Sequence, residues 1–232
     1  MTTTKVRIES LQAKSISTIK YYKLDAIAPP DEAYLRHTEE RMLQLNKHHI
    51  ISQSYVLPIP YICQIYHLLN LKHLESVHNF SLKGLKIGSI GQLKKTATGG
   101  SLKFDTTLNP TLNILKIWRQ HVVEVELTLH TPYTIELNIP VYNGRNIAII
   151  FNVLPLGNNA HKLFIDIYSA ILFPKPILQI LLHCACCLTL FEDLPYLNTL
   201  AQSNINHIVR YRKISENKTM QLFKHFIDLY GC

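Results

Sequence analysis

Twelve histidines are many for a chain of 232 residues, and one cluster of them has spacing that suits a metal site. In Asn70-Leu-Lys-His73-Leu-Glu-Ser-Val-His78 the polar residues follow the pattern Asn-x2-His-x4-His. Asn70 and His73, three apart, share one helix face. His73 and His78, five apart, point about 140° away from each other on a regular helix of ~3.6 residues per turn. Both reach one metal only if the helix ends or distorts between them. Far along the chain, Glu192 and Asp193 stand in the apolar run Phe191-Glu-Asp-Leu-Pro-Tyr-Leu197, where a carboxylate is costly unless it is paired or binds a metal. Two readings follow from these residues alone. Either the histidines end a helix and the carboxylates cap or pair with basic residues, or the histidines and one of the two carboxylates serve a metal.

The remaining donors read more plainly. His67 is expected to be a satisfied histidine near the pocket, and His121 to end a strand. His37, His48, His49, His130, His161, His207 and His225 sit in polar settings and are expected at the surface. His183-Cys184-Ala-Cys186-Cys187 does not converge its thiols on one helix face, so core packing is the expectation. Thr98-Gly-Gly-Ser101 has no helix after it and reads as a hairpin turn, not a phosphate loop.

The elements that must hold the cluster follow from periodicity. Pro29-Pro30-Asp31-Glu32 opens an amphipathic helix through Leu35, Met42 and Leu45, ending near His48 and His49. A second helix is predicted over residues 60–74. Between residues 80 and 169 short alternating runs are separated by turn residues. Asn143-Gly144 between two apolar runs is a strong hairpin signal. Val123-Glu-Val-Glu-Leu-Thr-Leu129 alternates as a half-buried antiparallel strand should. Residues 177–203 form one long apolar helix, and Ser215 opens a last one reaching Tyr230. This order predicts an α+β, START-like helix-grip fold. A curved antiparallel sheet of about seven strands wraps a long C-terminal helix, with N-terminal helices and a cavity between sheet and helix. Residues 1–53 are expected to form a helical or extended N-terminal extension, and residues 54–232 the helix-grip domain.

Composition narrows the function classes. Apolar residues at 47% allow a substantial core. The formal charge of +8 is scattered, with no basic patch interleaved with aromatics, so nucleic-acid binding is not expected. A docking surface for an acidic protein such as a ferredoxin accounts for the same charge. The five cysteines are odd in number, with three inside four residues, and they build no disulfide framework. With no signal peptide read before them, a cytoplasmic setting is expected. The apolar run 170–191 is broken by Pro174, Lys175 and Pro176 and carries Gln179 and His183. The break leaves residues 177–191, short of the ~20 a spanning helix needs, so a buried helix is expected and no membrane span.

The order of the motifs resembles a known family. Asn70-Leu-Lys-His-Leu-Glu-Ser-Val-His78, the strands ending in Val153-Leu-Pro155, His161-Lys-Leu-Phe164, Glu192-Asp-Leu-Pro195 and Val209-Arg-Tyr-Arg212 are similar, in sequence order, to the catalytic domain of Rieske non-haem oxygenases of the ring-hydroxylating and pheophorbide a oxygenase type. The resemblance covers about residues 54–230. It implies Fe(II) held by His73, His78 and Asp193, a two-histidine, one-carboxylate set with positions open for oxygen and substrate. The family's cluster motif, Cys-x-His followed by Cys-x2-His, is absent, so this chain carries no iron–sulfur cluster. Asn70 stands where the family has an Asp that relays electrons. An amide cannot serve as that bridge, and Asn70 is expected to orient His73 or bond a nearby backbone group, with Glu192 also outside the ligand set. The implied function is a non-haem iron(II) oxygenase-like enzyme acting on a bulky hydrophobic or aromatic substrate. Electrons come from a separate ferredoxin or Rieske-bearing partner, and a homo-oligomer is left open. The alternatives are a metal-free helix-grip module for a hydrophobic or pigment-like ligand, and the catalytic subunit of a split Rieske oxygenase.

Overall fold

The alternation at residues 123–129 becomes a strand whose every second side chain, Val123, Val125, Leu127 and Leu129, is buried. That period of two lets one face of a sheet meet helices while the other meets something else. A computed structural model describes residues 32–78, 81–82, 84–107, 122–203 and 217–230, leaving out the side chain of Asn143. Its helices are α1 (Glu32–Leu45), α2 (Tyr61–Leu69), α3 (Leu71–Ser76), α4 (Lys175–Gln202) and α5 (Gln221–Tyr230). Its strands are β1 (His49–Leu57), β2 (Lys86–Ile90), β3 (Lys94–Thr96), β4 (Gly99–Thr107), β5 (Val122–Thr131), β6 (Thr134–Val141), β7 (Arg145–Pro155) and β8 (His161–Ser169). The expected strand ending at His121 and the segment Val209–Arg212 fall outside the described residues.

All eight strands join one antiparallel sheet in the order β1-β8-β7-β6-β5-β4-β2, with β3 pairing beside β4. Strands β4 to β8 are a meander, and β1 closes it along β8 from His49 to Leu57. The Asn-Gly hairpin lies where expected. A short 3-10 turn at Tyr142–Gly144 joins β6 to β7, with Gly144 at φ +67, the left-handed region that favours glycine. The glycines after Thr98 serve a different purpose from the expected one. The turn is Ala97-Thr98, and Gly99 opens β4 because a Cβ there would lie 1.9 Å from the Leu129 carbonyl oxygen.

Two helical layers cover the sheet, as a helix-grip fold requires. On one face α2, α4 and α5 pack Ile65, Leu69, Leu178, Leu182, Leu190, Phe223 and Phe226 against Leu102, Phe104, Val125 and Leu163. On the other, α1 lays Met42 and Leu45 over Ala148, Ile150 and Tyr168. A polar strip fixes α1 there. Thr38 meets Thr134 at 2.6 Å, and Arg41 grips Glu136 through two bonds of 2.7 and 2.8 Å.

The long helix is only partly buried. Leu178, Leu182, Cys186, Leu190, Asp193, Leu197 and Leu200 make one inward stripe at helical spacing. Ile180 and Phe191 face out, 64% and 72% exposed. Among the described residues α4 is the one helix long and apolar enough to cross a membrane, yet its inward stripe carries a carboxylate. The stripe also corrects the expectation of buried thiols. It passes through Cys186 and leaves Cys184 and Cys187 exposed, because residues two before and one after lie off a 3.6-residue period.

Candidate metal centre

The helix predicted over residues 60–74 is two helices with a break at Asn70, whose φ of −91° and ψ of 95° are extended. Asn70 closes α2 and opens α3, its side-chain oxygen accepting the Lys72 backbone N–H at 3.2 Å. Asn is a favoured N-cap because its short side chain satisfies a helix donor that has no partner of its own. The break redirects the chain so that His67 and His73, six residues apart, bring their ring centroids to 3.9 Å. On an unbroken helix their directions would differ by about 120°. Helix α3 then stops at Ser76, so His78 leaves the helical path and turns back toward His73, with ring centroids 5.4 Å apart. The helix ends between His73 and His78, and this brings His78 Nε2 within 3.4 Å of Asp193 Oδ1.

Asp193 arrives from the inward stripe of α4. Its Oδ1 lies 2.9 Å from His67 Nε2 and 3.4 Å from His78 Nε2. Ligand atoms of His67, His73 and Asp193 all fall within 4.8 Å of one another. The four residues are 1%, 5%, 4% and 8% exposed in the order His67, His73, His78, Asp193. Glu192 holds the loop that carries His78. Its carboxylate accepts the Ser81 backbone N–H at 3.1 Å and the Ser81 hydroxyl, and lies 3.5 Å from His78 Nδ1.

Hydrogen bonding sets the tautomer of His73. Its Nδ1–H donates to the Asn70 backbone carbonyl at 2.6 Å, so Nε2 carries the lone pair. The Asn70 main chain, not its amide, therefore orients this ring. Electrostatics in the cluster follow from burial. Burial drives His67 down to about 3, with His78 adding to the effect. It lowers His73 well below its ordinary value, reinforced by His67 and opposed by Asp193. Burial also pushes the Asp193 carboxyl up to about 6, and His78 and His73 offset only part of that. With His67 neutral, its contact to Asp193 is not an ion pair.

Neutral imidazoles and a carboxylate without a permanent cation form a donor set suited to a divalent transition metal such as iron. His67 Nδ1, buried and without a hydrogen-bond partner, adds to the unmet polar demand here. Of the residues picked out by spacing, His73 and Asp193 share this point, whereas His78 Nε2 approaches only the Asp193 carboxylate, at 3.4 Å, and stands outside the set. His67, passed over as a satisfied histidine, is the third member of the set. The signal that would have revealed it is Asn70 itself, an N-capping residue inside an apparently continuous helix. His161 and His225 were expected at the surface and are buried. His161 Nδ1 donates to the Ile59 carbonyl at 2.6 Å and His225 Nε2 to the Gly99 carbonyl at 2.7 Å, tying chain segments together away from the cluster.

No protein-family model matches the chain, and no curated protein matches it. In three dimensions it is similar to dicamba monooxygenase bound to 3,6-dichlorosalicylic acid, at TM-score 0.59 and 10% identity, covering 77% of this chain and 58% of that one. It is also similar to a quaternary ammonium Rieske monooxygenase that oxidises carnitine, at TM-score 0.55 and 11% identity, covering 89% of this chain and 57% of that one. The chain thus spans under two thirds of the length of either. The fold is that of these oxygenases, matching the resemblance drawn from the motifs, and at such identity the likeness is one of fold.

Proposed function

We propose that the chain is a non-haem iron(II) oxygenase-like enzyme acting on a bulky hydrophobic or aromatic substrate, with electrons delivered by a separate protein. The observation that supports this reading is the gathering of His67, His73 and Asp193 at one buried point of an oxygenase-type fold, with His78 3.4 Å from the Asp193 carboxylate. Iron(II) held there supplies a redox-accessible metal with open positions for dioxygen. The chain's own residues do the rest. The Asn70 carbonyl fixes His73 so that Nε2 faces the centre. Glu192 and Ser81 hold the His78 loop against α4. Leu69, Leu71, Leu190 and Leu197, on the helices that carry the cluster, are buried, so those helices supply apolar side chains near it.

The substrate class rests on that apolar surround and on the aromatic acid bound by dicamba monooxygenase. An acidic electron donor such as a ferredoxin, or a Rieske-bearing chain, suits the charge. An open groove of about 690 Å³ is lined by Lys95, Lys218 and Lys224 against the single acid Asp228. Exposed thiols at Cys184 and Cys187 fit a reducing, cytoplasmic setting.

Protein purified without air is expected to contain stoichiometric iron. His73→Ala, His78→Ala and Asp193→Ala should each remove it while circular dichroism keeps the wild-type spectrum. Normal iron content in all three variants overturns the assignment.

A further inference from the structure

We infer that His67 is a fourth protein ligand of this centre, which makes it a three-imidazole, one-carboxylate site. The inference rests on the metal reading above and adds a residue to it. Its first support is distance. Two donors bound to one metal at ~2.0–2.2 Å stand about 2.9 Å apart at a right angle and about 3.4 Å apart at a tetrahedral angle. His67 Nε2 to Asp193 Oδ1 is 2.9 Å, and His78 Nε2 to the same oxygen is 3.4 Å. The second spacing is too long for a good N–H···O bond, which rarely exceeds ~3.2 Å, but it suits the edge of a coordination polyhedron.

Position supports the same conclusion. His67, His73 and Asp193 offer ligand atoms that all lie within 4.8 Å of one another, a set to which His78 adds through its 3.4 Å approach to Asp193. His67 lies beneath His73 at a ring separation of 3.9 Å and is the most buried of the four. Its tautomer is not committed, because Nδ1 has no hydrogen-bond partner. With the proton on Nδ1, the Nε2 lone pair faces the carboxylate lone pairs across 2.9 Å, an arrangement that a cation relieves. With the proton on Nε2, a bare acceptor stays buried at Nδ1, which costs about 1–3 kcal/mol. Neither neutral tautomer satisfies the ring without help.

The consequence is chemical. Four protein donors leave a six-coordinate metal two positions instead of three. A substrate that chelates through two atoms would then exclude dioxygen, so the substrate lies beside the metal and does not chelate it.

The test uses His67→Gln, which keeps an N–H able to reach Asp193 but offers a poor metal donor. Cobalt(II) is titrated into wild type and variant and its visible bands are recorded. X-ray absorption on iron-loaded wild type counts imidazoles without any substitution, so a variant that fails to fold does not stall the test. The expected results are three imidazoles in wild type, and in the variant an affinity lower by about 10–100-fold or more with shifted cobalt bands. Two imidazoles in wild type, or a variant with unchanged affinity and bands, overturns the fourth ligand while leaving the metal reading intact. A wild-type protein that takes up neither iron nor cobalt overturns both.

Discussion

Two buried carboxylates sit on opposite faces of the sheet, and their surroundings differ in one respect. Glu136, under α1, is held by the Arg41 guanidinium through two bonds and by His130 Nε2 at 2.8 Å. Burial alone would raise it, but these partners overcome burial and hold it down to about 2. Asp193, on the α4 side, has burial of the same kind, imidazoles beside it and the Glu192 carboxylate nearby, and it is pushed up to about 6. A carboxylate that already has a fixed cation is finished and serves to hold two elements together. One lodged among imidazoles has no fixed cation, and on the proposed reading a metal would complete it. The contrast separates an acid that ties two elements together from one that has no fixed cation beside it.

Substitutions that remove each charge should push the two sites in opposite directions. Glu136→Gln leaves Arg41 without its partner and should lower stability in denaturant by about 1–3 kcal/mol, discounted because Arg41 is partly exposed. The same bond sets a pH dependence. Glu136 titrates near 4.5 unfolded and near 2 folded, so its contribution is fully present above pH 4.5. As pH falls through that window the folded state resists protonation more than the unfolded one, and stability declines by up to about 3 kcal/mol. Chemical denaturation across pH 5 to 2 should show this decline in wild type and a reduced one in Glu136→Gln. Equal slopes would mean the ion pair contributes nothing.

Asp193→Asn is the mirror case. With metal removed by a chelator, replacing this burial-strained acid should stabilise the protein at neutral pH by about 1–3 kcal/mol, and with metal present it should abolish ligand-induced stabilisation. Thermal melts with and without iron(II) read both effects. A destabilised apo variant would show that Asp193 is structural after all. The smallest effect is expected at Asn70. Asn70→Ala removes the cap of α3, worth about 1 kcal/mol, but keeps the main-chain carbonyl that orients His73. Metal affinity should fall by no more than about tenfold. A larger loss would mean that the side chain, and not the backbone, positions the ring.

Much of this was legible in the chain itself. Period-two alternation marked β5 and β8, Asn143-Gly144 marked the β6–β7 hairpin, and the apolar run after Pro176 marked α4. Local rules suffice there, because side-chain direction in a strand or turn depends on near neighbours only. The residue types at His73, His78 and Asp193 were also readable, since a carboxylate in an apolar stripe calls for a partner wherever it lies. The tertiary structure alone decided which partners come. Spacing made His67 look like a core histidine one turn before the motif, and only the break at Asn70 brings it under His73. His161 and His225 looked like surface residues because their sequence neighbours are polar, yet carbonyls of Ile59 and Gly99, distant in the chain, bury them. Which donors share a point depends on where helices end and how they pack, and those are set by contacts between segments far apart in sequence.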